Sequence, residues 1–179
     1  VFLEAENLTY VNSIGKKMLD NVSLKLRAGE ILSVAGVEGN GQSELAEVLT
    51  GMKKPMLGQV KISGMEVLDY SPAEFRRKQV VYIPEDRMAV GCAADMTISE
   101  NMFADKIQRY LIRNIFLDRK RMDAKAKEWV KDFNVLCTSA EQNVNMLSGG
   151  NIQKVVAARE LTENVGIVVA EQPTRGIDA

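Results

Sequence analysis

The order of apolar runs in this chain predicts an α/β fold with an inserted helical segment, and three observations carry that reading. Ile31–Ala35, Val80–Ile83 and Val165–Ala170 are apolar runs of strand length, and each ends in polar or glycine-rich residues. Leu45, Val48 and Leu49, then Ile152, Val155, Ala158 and Leu161, recur at helical spacing beside two of those runs. From Thr97 to Asp132 the pattern turns helical, with a basic segment from Arg113 to Lys127. Residues 1–95 and 147–179 are therefore expected to form the α/β core, and 96–146 a helical subdomain, within one domain.

In chain order, Val1–Tyr10 reads as a strand with Leu3, Ala5 and Leu8 as core positions, and Asn12–Lys17 as a polar turn. Val22–Leu26 alternates strictly, as a half-buried strand does. Ala28-Gly29 is a turn, and Ile31–Ala35 suits a buried strand. Gly51 ends the helix that follows, Lys53–Gly58 is a loop, and Val60 and Ile62 make a short strand closed by Ser63-Gly64. Pro72–Lys78 begins on a proline and predicts a short exposed helix. The buried strand Val80–Ile83 ends in Pro84-Glu85-Asp86-Arg87. Charged groups at a strand's C-terminal end are where ligands bind in open α/β sheets, although a solvated turn has the same composition. The basic residues near Lys120 are interleaved with Asp118, Asp123 and Glu128, so they read as a solvated helix face.

Composition narrows the chemistry. Among 179 residues, 23 Lys and Arg against 24 Asp and Glu leave a net charge of −1, so nothing electrostatic argues for a nucleic-acid partner. Histidine is absent, which removes the commonest general base from these residues. Cys92 and Cys137 fit no metal or redox spacing and read as free thiols in a reducing compartment. No apolar run approaches the roughly 20 residues of a membrane helix, and no signal pattern opens the chain. A soluble, cytoplasmic domain is expected.

Two glycine-rich stretches carry the functional signal. Leu147-Ser148-Gly149-Gly150-Asn151 opens a helical pattern. Unpaired N–H groups and the helix dipole favour an anion there, and glycines allow its close approach. An ordinary capped helix after a Gly-Gly turn has the same sequence. Gly36-Val37-Glu38-Gly39-Asn40-Gly41-Gln42-Ser43 lies between an expected strand and a helix, the context of a phosphate-binding P-loop. Gly36, Gly41 and Ser43 match its spacing, and Ser43 suits a magnesium ion. Gln42 stands where the pattern requires lysine. A unit charge at about 4 Å contributes roughly 4 kcal/mol at an effective dielectric of 20, before desolvation. A neutral hydrogen bond contributes about 1 kcal/mol net. Glu38 adds negative charge, and a tight turn that binds nothing remains the alternative. After the last strand, Glu171 suits a water-linked magnesium, whereas Gln172 can orient a water but not take its proton.

In this order, the motifs resemble the nucleotide-binding domain of an ABC transporter over nearly the whole chain. The resemblance implies a P-loop NTPase (RecA-like) core with an inserted α-helical ABC signature subdomain, C-terminally truncated. It implies Walker A at Gly36–Ser43, a Q-loop at Glu85, the signature at Leu147–Asn151, Walker B at Ile167–Gln172 and a D-loop at Gly176–Asp178. ATP-contacting residues would be Tyr10 (adenine stacking), Gly36, Glu38, Gly39, Asn40, Gly41, Gln42, Ser43, Glu44, Glu85, Leu147, Ser148, Gly149, Gly150, Asn151 and Asp178. Magnesium would meet Ser43, Glu85 and Glu171, and Glu171 and Gln172 would occupy the catalytic positions. Four departures stand out against the family pattern: Gln42 for lysine, Glu85 for glutamine, Glu171 for aspartate and Gln172 for glutamate.

The combination is more closely similar to the second, degenerate half of tandem ATP-binding proteins in bacterial importers of simple sugars or nucleosides. That implies weak ATP and magnesium binding by this half alone and an intact signature serving the partner half's ATP site. The implied partners are the first nucleotide-binding domain of the same polypeptide, membrane permease subunits and, indirectly, an extracellular solute-binding protein. The implied location is the cytoplasmic face of the plasma membrane. A self-sufficient ATPase and a non-transport ABC protein acting on ribosomes or DNA are the alternatives.

Overall fold

The computed structural model describes residues 2–67, 69, 71–113, 115–162 and 164–176. They form two compact units, one from the described residues of 1–82 and 165–171, the other from those of 83–164 and 172–179.

In the first unit, β1 (Leu3–Val11), β2 (Lys17–Leu26), β3 (Leu57–Ile62) and β4 (Met65–Glu66) form an antiparallel sheet in the order β2-β1-β3-β4. Leu3, Ala5 and Leu8 are all buried, although strict alternation would place Leu8 opposite the other two. The register shifts between Ala5 and Leu8, where Asn7 takes φ +53°. This bulge turns the next apolar side chain back to the same face. Gly58 lies across from it, and a Cβ there would meet the Asn7 carbonyl oxygen at 2.5 Å. Helix α1 (Gln42–Leu49) buries Leu45, Ala46, Val48 and Leu49 and touches β2 and a second sheet strand, β8 (Ile167–Ala170). Helix α2 (Pro72–Arg77) starts at Ser71, whose N–H and Oγ both donate to the Glu74 carboxylate, at 2.7 and 2.8 Å. These hydrogen bonds hold the Glu74 carboxyl below its usual pKa. Phe75 is the one residue α2 buries.

Strand β5 (Val80–Ile83) is hydrogen-bonded directly to β8. Residues 31–37, expected to begin as a buried strand, have no regular structure. Ile31 is 93% exposed and Val34 55%. A short apolar run becomes a strand only where a neighbouring strand accepts its backbone groups, and among the described residues no strand pairs with this one. β8 also departs from the all-buried run expected of it, since Ile167 is buried and Val168 is exposed.

The second unit packs three helices: α3 (Ile98–Phe103), α4 (Arg119–Asp132) and α5 (Gly149–Leu161). Ile98, Met102, Phe103, Met122, Ala126, Trp129, Ile152, Val155 and Ala158 form its core. The Phe103 ring stacks on Trp129 with centroids 4.9 Å apart and meets Tyr110 edge-on at 4.7 Å. The helical pattern expected from 97 to 132 is interrupted by a hairpin, β6 (Leu111–Ile112) and β7 (Phe116–Leu117), with Arg113 at φ +52°. This hairpin is a separate sheet. Leu161, expected on the buried stripe of α5, is exposed.

Candidate functional site

The glycine-rich loop enters α1 through Gly41, which takes φ +97°. A Cβ at Gly41 would lie 2.3 Å from the Met18 carbonyl oxygen, so only glycine fits on both counts. Gly36, Glu38, Gly39 and Asn40 are exposed, as is Ser43, while Gln42 and Glu44 are half-buried in the first turn. The Gln42 side chain turns back into its own loop, and Nε2 donates to the Val37 carbonyl at 3.0 Å. A Cβ on Gly36 would sit 2.3 Å from that nitrogen. The space that glycine leaves open is thus filled by a neutral carboxamide. A phosphate held by this loop would meet a neutral amide there and not an ammonium charge.

Tyr10 is half-buried on β1, with the Lys53 ammonium 5.4 Å from its ring centroid. Lys53 pairs with Glu47 at 2.5 Å, and that contact raises the lysine pKa. Glu171, at the end of β8, is half-buried and accepts a hydrogen bond from the Tyr82 hydroxyl on β5.

In the second unit, Glu85 Oε1 pairs with the Arg175 guanidinium and accepts from Gln172 Nε2 at 2.9 Å. The Gln172 amide is thereby committed to a carboxylate, and its backbone is left-handed at φ +42°. Arg87 donates from Nη1 to the Arg175 carbonyl at 2.8 Å. Ser148 is the exposed N-cap residue of α5. Its Oγ accepts from Asn151 Nδ2 at 2.8 Å, while Asn151 Oδ1 accepts from the Leu136 N–H at 2.8 Å. Asn151 therefore ties the helix start to the segment after α4, and its polar ends face protein. Gly149 and Gly150 are half-buried in the first turn, and Leu147 packs against the core. At the other end of α5, buried Lys106 donates to the Arg159 carbonyl at 2.5 Å and pairs with Asp105. That places a cation at the negative end of the helix dipole.

Ser43 and Glu171 belong to one unit and Glu85 to the other. Among the described residues, no group of three His, Cys, Asp or Glu side chains is placed to hold a metal. A cation at Glu85 would have to displace Arg175 from Oε1. Asp178 lies outside the described residues. Burial raises the pKa of both Cys92 and Cys137, as befits unreactive thiols. Sequence reasoning missed Tyr82, Arg87 and Arg175 as site residues. The charge cluster at Pro84–Arg87 was the available signal for Arg87, but nothing local marks the partners of the other two.

Comparison with known proteins sets these local arrangements in a family. The family model described as ABC transporter matches residues 19–175. The nucleoside import ATP-binding protein NupA of Lactococcus lactis subsp. cremoris is 35% identical over 99% of this chain and 35% of its own length. The ribose import ATP-binding protein RbsA 1 of Rubrobacter xylanophilus is 36% identical over 97% of this chain and 35% of its own length. The chain thus spans about a third of the length of these curated relatives. Among solved structures, the ATP-binding cassette MJ0796, in a dimeric post-hydrolysis state bound to ADP and Pi, superposes with a TM-score of 0.82. That match has 27% identity and covers 99% of this chain and 76% of the other. A glycine loop leading into α1, an acid at the end of β8 and a Ser-Gly-Gly start to α5 are thus parts of an α/β ABC cassette, and the chain belongs to the ABC transporter family.

Proposed function

We propose that this chain is the second, degenerate ATP-binding half of a bacterial importer for simple sugars or nucleosides, and that it donates its signature segment to the partner half's ATP site. One observation carries the reading. The lysine position of the P-loop holds a glutamine bonded into its own loop, whereas α5 presents an exposed Ser148 and a glycine-rich first turn. The names of the nucleoside and ribose import proteins support the cargo class. The dimeric MJ0796 cassette supports pairing of two such domains.

In this reading Ser148 and the N–H groups of Gly149 and Gly150 hold the γ-phosphate of ATP bound by the partner half. Charge-assisted hydrogen bonds at a helix N-terminus suit that role. The loop Gly36–Ser43, Glu44 and Tyr10 line a second, weak site. Magnesium, which would neutralise phosphate charge there, would be held by Ser43 and Glu171 of the first unit. Gln172 supplies no base, because a carboxamide takes no proton at neutral pH. The core of 1–95 and 147–179 carries nucleotide, and 96–146 is the helical subdomain. Permease subunits at the cytoplasmic face of the membrane, with an extracellular solute-binding protein behind them, complete the assembly.

The test is steady-state ATPase and transport by the full-length tandem protein reconstituted with its permease. Ser148→Arg should lower ATPase by about a hundredfold or more, the scale of removing a preorganised anion contact. Gln172→Ala should leave both activities within about twofold of wild type, since it removes no base and Glu85 keeps Arg175 as its partner. An importer indifferent to Ser148→Arg, or silenced by Gln172→Ala, would put the active site in the other half.

A further inference from the structure

The Arg87 guanidinium lies between two segments that are remote from it in sequence. Its Nη1 donates to the Arg175 carbonyl at 2.8 Å. A Cβ on Gly149 would sit 2.5 Å from its Nη2, and one on Gly176 would sit 3.4 Å from the same atom. The absence of a side chain at Gly149 thus makes room for Arg87, a role separate from the approach of phosphate. The arginine is itself held from behind. Asp86 Oδ1 accepts from the N–H groups of Met88 and Ala89, at 3.0 and 2.9 Å, and fixes a π-helical turn over Arg87–Gly91. That turn packs on α5, where a Cβ on Gly91 would meet Val156 Cγ2 at 3.3 Å and Arg87 Cβ at 3.4 Å. Two residues earlier, Glu85 holds the Gln172 and Arg175 side chains. Isolated π turns of this kind are rare and often mark functional positions.

We propose that Arg87 is a positioning residue that locks the first turn of the signature helix to the loop after the Walker B strand. It thereby fixes where the Gly149 and Gly150 N–H groups point. The proposal rests on the reading that the signature segment serves the partner half's ATP. A planar, rigid guanidinium can donate to Arg175 and lie flat against Gly149 at once, whereas a lysine offers a single charged point on a flexible stem. Without Arg87 the first turn keeps its sequence and its N–H groups but loses its fixed distance from the 172–176 loop. Misplacement of a binding group by about 1 Å can cost on the order of a hundredfold in rate.

The experiment uses the full-length tandem protein with its permease, measuring kcat and KM for ATP in Arg87→Ala, Arg87→Lys, Gly149→Ala and the double variant Arg87→Ala/Gly149→Ala. Arg87→Ala should lower kcat by roughly tenfold to a hundredfold and leave KM within about twofold, because ATP is bound by the other half's Walker residues. Arg87→Lys, which keeps the stem and the charge, should recover less than half of the lost rate. Gly149→Ala should impair wild type but cost little more once Arg87 is gone, as expected of two groups competing for one space. A wild-type kcat in Arg87→Ala, a full rescue by lysine, or additive losses in the double variant would each overturn the proposal. Ser148→Arg run in parallel separates the two levels. If it leaves ATPase intact, signature donation itself fails; if it abolishes ATPase while Arg87→Ala does not, only the positioning role fails.

Discussion

Gln42 decides the character of the P-loop through what it lacks and what it does instead. It brings no charge to phosphate, and its carboxamide spends its donor on Val37 inside the loop. Gln42→Lys would restore a unit charge at a helix start, where a contact near 4 Å contributes roughly 4 kcal/mol at an effective dielectric of 20 before desolvation. MgATP should then bind at least about tenfold more tightly, since about 1.4 kcal/mol is enough for that factor. Gln42→Ala only empties the loop and should change affinity by less than about threefold, under about 0.7 kcal/mol. Calorimetry on the purified chain reads both. A large loss of affinity in the alanine variant would show that Gln42 contacts the phosphates directly. Asn151 offers the complementary case, because both ends of its side chain are engaged by protein groups, Leu136 and Ser148.

Helix α3 is short enough that its start decides its stability. Thr97 Oγ1 accepts from the Glu100 N–H at 3.1 Å, and the Glu100 carboxylate accepts from the Thr97 N–H at 3.0 Å, a reciprocal capping box. Ile98, Met102 and Phe103 from this helix are fully buried in the second unit's core, so loss of the cap is felt there. Thr97→Ala should cost about 1 kcal/mol, and Thr97→Ser only a few tenths. Urea unfolding would report this as a lower midpoint at an unchanged slope. An unchanged midpoint in the alanine variant would mean that the helix start is held by its buried side chains alone. The same logic at α2 carries a pH dependence. The Ser71 contacts hold the folded Glu74 pKa below its unfolded value, so its contribution is full above the unfolded pKa. It is lost as pH falls through the folded pKa, and the stability difference between wild type and Glu74→Gln should fade in that acid window.

At the scale of the whole molecule, the isolated chain should bind MgATP weakly and turn it over negligibly, because its P-loop lacks the lysine and Gln172 is no base. Sub-micromolar affinity by calorimetry, or steady phosphate release by the purified chain, would favour a self-sufficient ATPase. The sequence by itself determined the α/β class, the order of the motifs and most elements, including β1, β5, α1, α2 and the start of α5. Those features are written locally, in apolar periods, glycine punctuation and capping residues. Tertiary structure decided the rest. Ile31–Ala35 has the composition of a buried strand, yet among the described residues no strand pairs with it and it stays irregular. The bulge at Asn7 that keeps Leu8 in the core is visible only in the register of β1. The destinations of Gln42, Gln172 and Arg87 were equally hidden. A hydrogen bond or a filled space joins residues that local pattern leaves far apart, as Arg87 is from Arg175, and only the folded chain selects which partner each polar group meets.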